Sequence, residues 1–229
     1  MKKLILTVLV MLCSPAFAEV AGSCDTLVIT GHPDYPPVAW AADGEIVGAS
    51  TELVASIAKK LKVQSISSKD FGSWDNAQKA IKSGQADVIF GIYKNEVRQR
   101  YMNYIEPSYM VDPVSIVVRK EQVLKYEKWA DLIGLKGVTN EGESYGNKFD
   151  SYITEKLTVD RLKGAGASFD ALLNRQGDYL IIGLYPGTME ARKRNIMSKL
   201  EFLPQPLVVA NMYIAFSKKS KCYESLKEG

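Results

Sequence analysis

Short apolar runs and amphipathic stretches alternate along this chain, and the alternation begins twice. Residues 26–30 are β-branched, end at Gly31 and read as a buried strand. Residues 32–37 carry three prolines and must form a fixed loop. Ser50 or Thr51 can cap a helix in which Leu53, Val54, Ile57, Ala58 and Leu61 make one apolar stripe. A strand at 63–67, an amphipathic helix at 74–82 stopped by Gly84, and a strand at 87–90 follow. After the apolar stretch 113–118 the pattern restarts. It predicts a short helix at 129–132, a strand at 136–139, a glycine-entered helix over 142–157 and a helix near 169–175. An apolar strand at 179–184, a helix around 188–198 and strands at 207–210 and 212–216 complete it. Such alternation predicts an α/β fold with a mainly parallel sheet covered by helices on both faces. No linker rich in Gly, Ser or Pro separates the halves, and the junctions near 109–113 and Asn211 are strand-like. Two lobes joined by two hinge strands, with a ligand cleft between them, are therefore expected.

The first residues read as an address. Lys2 and Lys3 precede a run at 4–12 that is apolar except for Thr7, and Ala16-Phe17-Ala18 supplies small residues for cleavage. The run falls short of the roughly 20 residues that cross a bilayer, and Leu12 is too large to precede a lipidated Cys13. Residues 1–18 are thus expected to be a signal peptide for export to the periplasm. Without them the 229-residue chain keeps 211, and the 29 Lys and Arg lose Lys2 and Lys3, leaving 27 against 26 acids. A nearly neutral protein offers no basic field for nucleic acid. Cys24 and Cys222, near the two ends, are expected to form a disulfide, with two free buried thiols as the alternative.

Several runs in order carry a resemblance. They are Ile81-Lys-Ser-Gly-Gln-Ala-Asp87-Val-Ile-Phe-Gly91, then Asn95-Glu96-Val97-Arg98, then Ile105-Glu-Pro-Ser-Tyr109. Tyr35-Pro36-Pro37, Asp131-Leu132 before Lys136-Gly137-Val138, and Gly142-Glu-Ser144-Tyr145-Gly146 add to them. The sequence resembles the family 3 extracellular solute-binding proteins, the polar amino acid receptors of ABC importers, over nearly all of the chain after the signal. The resemblance implies a two-lobed periplasmic binding protein: lobe 1 over 19–110, lobe 2 over 111–210, and a return to lobe 1 over 211–229. It also implies that the chain captures a small carboxylate-bearing solute, an amino acid, as a monomer that serves an ABC permease. No cofactor, metal or enzymatic activity is expected. His32 is the only histidine and has no Cys or His cluster near it in sequence.

By position in that family, Arg98 is the ligand anchor. A guanidinium just past an apolar strand can hold a carboxylate with two parallel hydrogen bonds, whereas Arg100 reads as a surface residue. Gly91 would let ligand approach the backbone, and Tyr93 and Asn95, the latter replacing the family's usual threonine, would add polar contacts. Gly142 and Ser144 are read as opening a helix whose N–H groups favour an anion. Tyr35 and Trp74 take the places of aromatic walls; for Trp40 core packing is an equal reading.

Two departures stand out. The acid that relatives place on the ligand's α-ammonium falls at Gly183. Either Asp34, Glu141 or Glu143 substitutes, or the ligand lacks that ammonium. Relatives also continue through a further helix on lobe 1, so residues 223–228 are read as its first turns and the chain as truncated. Two other functions fit the resemblance. One is a cyclohexadienyl-dehydratase-like enzyme, which needs a cleft acid with a raised pKa. The other is a ligand-presenting partner of a membrane sensor.

Overall fold

The computed structural model describes residues 24–227, so the expected signal peptide lies outside the described residues. In chain order the strands and helices begin with β1 (Thr26–Thr30), β2 (Asp34–Tyr35), β3 (Ala39–Ala42), β4 (Glu45–Val47) and α1 (Ala49–Lys60). Next come β5 (Ser65–Ser68), α2 (Trp74–Ser83), β6 (Val88–Tyr93), α3 (Glu96–Gln99), β7 (Met102–Tyr104) and β8 (Met110–Arg119). The second half holds β9 (Lys136–Asn140), α4 (Asn147–Lys156), β10 (Thr158–Leu162), α5 (Ala165–Leu173), β11 (Tyr179–Gly183) and α6 (Leu184–Lys193). It closes with β12 (Leu200–Phe202), β13 (Val208–Ser217) and α7 (Tyr223–Leu226).

The strands make one path, β10-β9-β11-β8-β13-β6-β1-β5, with β12 on β8 and β7 on β13. Inside each lobe the pairing is parallel: β1 with β5 and β6, and β9 with β10 and β11. The expectation of a mainly parallel sheet fails at β8 and β13, which run antiparallel to every neighbour. Their paired ends, Met110 to Val114 against Val208 to Met212, form the crossing between lobes. Beyond it β13 joins β6 in lobe 1 and β8 joins β11 in lobe 2. These are the two hinge strands, each one continuous element where the sequence reads as two pieces.

Both faces of the sheet are buried, as crossover helices require. In lobe 1, Leu27, Ile29, Val88 and Phe90 pack under α1 through Val54 and Ala58, while Ile89 and Ile92 pack under α2 through Ala77 and Ile81. In lobe 2, Leu180 and Ile182 meet Phe169 and Leu172 of α5, and Tyr179 and Ile181 meet Phe149 of α4. Removing a side chain of that size from water contributes about 1.5–3 kcal/mol.

Three local expectations need correcting. Helix α1 begins at Ala49 behind Gly48, without a side-chain cap. Ser50 instead turns inward onto the Tyr109 hydroxyl at 2.6 Å, and Thr51 bonds the Ile46 carbonyl. Of the expected stripe, Val54 and Ala58 are buried, whereas Leu53 and Ile57 are exposed. The helix read over 142–157 begins only at Asn147, because Gly142 and Gly146 both take positive φ, 80° and 95°, and keep the chain looping. The stretch after Gly31 is more than a loop: β2, β3 and β4 form a three-stranded meander.

Candidate functional site

A bulge in β6 sets the geometry of the cleft. Val88, Ile89 and Phe90 pair in regular register with β13, then the register shifts, and Gly91 takes φ +67°. The extra residue re-aims the strand end, sending the Tyr93 side chain into the space between the lobes. A Cβ on Gly91 would lie 3.1 Å from Val38 Cγ1, so the close approach it permits is first of all to the protein. Two residues on, Asn95 caps α3, its Oδ1 accepting from the Arg98 N–H at 2.8 Å. That cap holds Arg98 at the cleft edge of the sheet.

Arg98 is 3% exposed. Its Nε donates to Gln78 Oε1 at 3.0 Å, Nη1 to the Tyr93 carbonyl at 2.9 Å and Nη2 to the Gly142 carbonyl at 3.1 Å. All three acceptors are neutral, and two of its five N–H groups are left over. No carboxylate pairs with it among the described residues. The Trp74 ring lies 5.6 Å from the guanidinium carbon, and Trp74 Nε1 is buried without a hydrogen-bond partner.

Lobe 2 presents its loop differently from expectation. Gly142 turns its carbonyl, not its N–H, toward Arg98, and also accepts from Gln78 at 3.2 Å. Ser144 donates to Asp150 in the first turn of α4, which also receives the Tyr145 N–H at 2.8 Å. Asp150 thus ties down the loop that precedes α4, whose N-terminus has no side-chain cap, and the anion site read at Gly142 and Ser144 is not a helix start. Ser144 still faces the cleft, where Asn95 Nδ2 reaches its Oγ at 2.6 Å.

Tyr35, Trp74, Gly91, Tyr93 and Arg98 border one small cavity, together with His32 and Glu143. Asn95, Gly142 and Ser144 adjoin it through the bonds just described. A second small cavity shares His32, Tyr35, Tyr93 and Glu143, and reaches Asp34, Asn140, Tyr145 and Gly183. Of the acids considered for the ammonium, Asp34 and Glu143 line this space, while Glu141 stands at the outer mouth. Trp40, more than a third exposed, and Arg100, on the outer rim, border neither cavity.

Sequence reading undervalued His32 and passed over Asp112. His32 is buried 5.0 Å from the Trp74 ring and 5.4 Å from Tyr35. Its Nδ1 accepts the Asp34 N–H at 2.9 Å, so the neutral ring carries its proton on Nε2. That nitrogen lies 3.4 Å from Glu143 Oε1 and 3.1 Å from the Asn140 amide, both across the cleft. Asp112, on β8, is wholly buried, and its Oδ2 accepts from both Tyr35 and Tyr93 hydroxyls, the latter at 3.0 Å. Burial raises its pKa, the two tyrosine bonds and the Tyr185 N–H pull it down, and Glu143 raises it, for a net upward shift. Burial likewise holds both tyrosines protonated, well above their ordinary range. The one signal in the sequence was a lone acid inside the apolar run that becomes β8.

Among the described residues no group of three or more His, Cys, Asp or Glu is placed to hold a metal ion, and no helix is long and apolar enough to cross a membrane. Cys24 and Cys222 form a disulfide, with Cα atoms 4.8 Å apart. The family model of the bacterial extracellular solute-binding proteins, family 3, matches residues 27–221. Among similar solved structures is the arginine-bound form of a truncated ArgBP from T. maritima, at 21% identity and TM-score 0.70, covering 89% of this chain and 94% of that one. The substrate binding protein of an amino acid ABC transporter aligns at 20% identity and TM-score 0.67, covering 89% and 90%. A histidine kinase sensor domain with similarity to periplasmic binding proteins aligns at 21% and 0.74, covering 89% and 87%. These likenesses are likenesses of fold.

Proposed function

The chain belongs to the bacterial extracellular solute-binding proteins of family 3, and from that premise we propose that it is exported to the periplasm, captures a small carboxylate-bearing solute, an amino acid, and presents it to an ABC importer. The observation that carries this reading is Arg98. A buried guanidinium without an anionic partner is costly, and a ligand carboxylate taking two parallel charge-assisted bonds relieves that cost. The Gly142 carbonyl sits on Nη2, where a ligand oxygen would replace it. Trp74 Nε1 offers a further donor, and Tyr35 and Trp74 supply flat walls. The arginine-bound and amino acid transporter structures of the same fold support the ligand class and the importer. The ligand contacts both lobes, so binding shifts the population toward the closed form that a permease reads. Nothing in this mechanism calls for a cofactor or a second copy of the chain.

Two other readings each have one observation behind them. The sensor-domain likeness favours presentation to a membrane sensor, and uptake of labelled solute by a deletion strain separates that from import. The raised pKa of Asp112, whose Oδ2 accepts from the cavity-lining Tyr35 and Tyr93 hydroxyls, is the property that a dehydratase asks of its acid. Consumption of prephenate or arogenate, in place of saturable binding, would mark the enzyme.

The test is a thermal-shift screen with amino acids, polyamines and small organic acids. A ligand at 100 times its dissociation constant adds about 2.7 kcal/mol of stability. Arg98→Lys keeps the charge and loses the fork, and is expected to abolish the shift from every carboxylate. An undiminished shift in that variant would remove Arg98 from the site.

A further inference from the structure

We propose that the base of lobe 1, at the end away from the cleft, is a docking surface for an anionic lipid bilayer, formed by lysines that the fold gathers from three separate stretches of the chain. The inference does not depend on the ligand or on Arg98.

Net charge near zero says nothing of where the charges lie. Strands β1, β5 and β6 run parallel, and β13 runs antiparallel to β6. The end of β13 therefore meets the starts of the others, at the edge where α1 and α2 also finish. Lys59, Lys60 and Lys62 stand at the end of α1, and Lys82 at the end of α2. Lys218, Lys219 and Lys221 follow β13. These groups are held together. A Cβ on Gly84, just past α2, would lie 3.0 Å from the Lys219 Cβ, and the Cys24–Cys222 disulfide ties the last turn to the residues before β1. There the Asp25 carbonyl accepts the Ser65 N–H at 2.9 Å, which brings the segment after α1 to the same edge.

All seven lysines are exposed, and none joins an ion pair among the described residues. Lys218 donates to the Gln99 carbonyl at 2.7 Å and Lys82 lies over the Tyr101 ring, both neutral partners. Three acids share the edge. Asp87 accepts the Val28 N–H at 2.9 Å and the Ser220 hydroxyl at 2.7 Å, Glu224 pairs with Lys227, and Asp25 is exposed. A positive excess remains. Lys59, Lys60 and Lys82 complement the negative ends of their helices, but the lysines after β13 have no such reason to be there.

The other end of the lobe has the opposite sign. Asp34, Asp70, Asp75 and Glu141 border the outer mouth of the cleft, against Lys163 and a Lys79 that pairs with Asp75. The six residues of β6 separate the two ends by about 20 Å. An anionic plane attracts the basic end and repels the acidic one, which holds the protein with its cleft open to solvent. Lysine clusters of this size hold proteins on anionic leaflets. Without arginine forks, the edge suits a fluid plane of headgroups better than a nucleic acid read by bidentate bonds and stacking.

The experiment is flotation of the exported chain with phosphatidylcholine vesicles containing about one-third phosphatidylglycerol, beside vesicles of phosphatidylcholine alone. Wild type is expected to float with the anionic vesicles at about 50 mM salt, to be released by about 500 mM, and to ignore the neutral ones. Lys60→Gln, Lys219→Gln and Lys221→Gln together should weaken binding about 100-fold, near fivefold for each lysine. Lys120→Gln, Lys125→Gln and Lys156→Gln, all exposed on lobe 2, make the same change in net charge and should leave binding within about twofold. If the first triple variant unfolds early, Lys60→Gln with Lys221→Gln replaces it, with an expected loss of about 25-fold. No flotation with anionic vesicles at low salt, or equal effects of the two triple variants, overturns the proposal. Binding to a single-stranded oligonucleotide without binding to the vesicles overturns it too.

Discussion

Arg98 stays buried because its own helix cap and three carbonyl or amide oxygens hold it, and each of those oxygens is neutral. Asp112 is buried on β8, and its titration has a sign that can be checked. Burial raises its folded pKa above 3.8, so in the interval between 3.8 and that folded value the native state holds a proton that the unfolded chain has lost. Stability from this group is therefore greatest at low pH and is lost as pH rises through the folded pKa. Glu143, which adds to the shift, and the two tyrosines, which oppose it, are the titratable groups that bear on it. Thermal unfolding of wild type and Asp112→Asn between about pH 4 and pH 8 should show the difference moving in favour of Asn as pH rises. A difference that does not change with pH would mean that Asp112 titrates alike in folded and unfolded chains.

Elements were more legible than the contacts between them. In lobe 1, β1, α1, β5, α2 and β6 appear within a few residues of their sequence expectation, because period-two and period-3.6 patterns are local, whereas the short strands β2, β3 and β4 went unread. Helix α4 started late because two glycines at positive φ override an otherwise helical stretch. β10 went unread because three of its five residues are exposed at the sheet edge, with no apolar alternation to mark it. Position in a recognised motif indicated Arg98, Asn95 and Tyr93. Asp112 lay in a stretch read as a junction, and the partners of His32 and Asp34 are 108 and 131 residues away, which no local pattern reports. The disulfide belongs to this scale too, since it ties Cys24, two residues before β1, to Cys222, the residue before α7, across 198 positions. Replacing both Cys24 and Cys222 with Ser should lower unfolding free energy by about 2–5 kcal/mol, read from denaturant titration. A loss under about 0.5 kcal/mol would mean that the bridge restrains little of the unfolded chain.

As a whole the molecule is two lobes held against each other by polar contacts across a cleft. Asn95 to Ser144, the Glu96 N–H to Asn147, Arg98 and Gln78 to Gly142, and His32 to Glu143 all cross it. Only β8 and β13 connect the lobes covalently, so opening costs these contacts and a rotation of two strands. Asp112 sits where those strands cross, whereas Arg98 is held at the cleft edge by α3. A crystal structure with the amino acid that gives the largest thermal shift tests this most directly. The account predicts ligand carboxylate oxygens within about 2.7–3.0 Å of the Arg98 guanidinium nitrogens, with the Gly142 carbonyl displaced from Nη2 and both lobes touching the ligand. A ligand bound elsewhere, with Arg98 still on the Gly142 carbonyl, would contradict it.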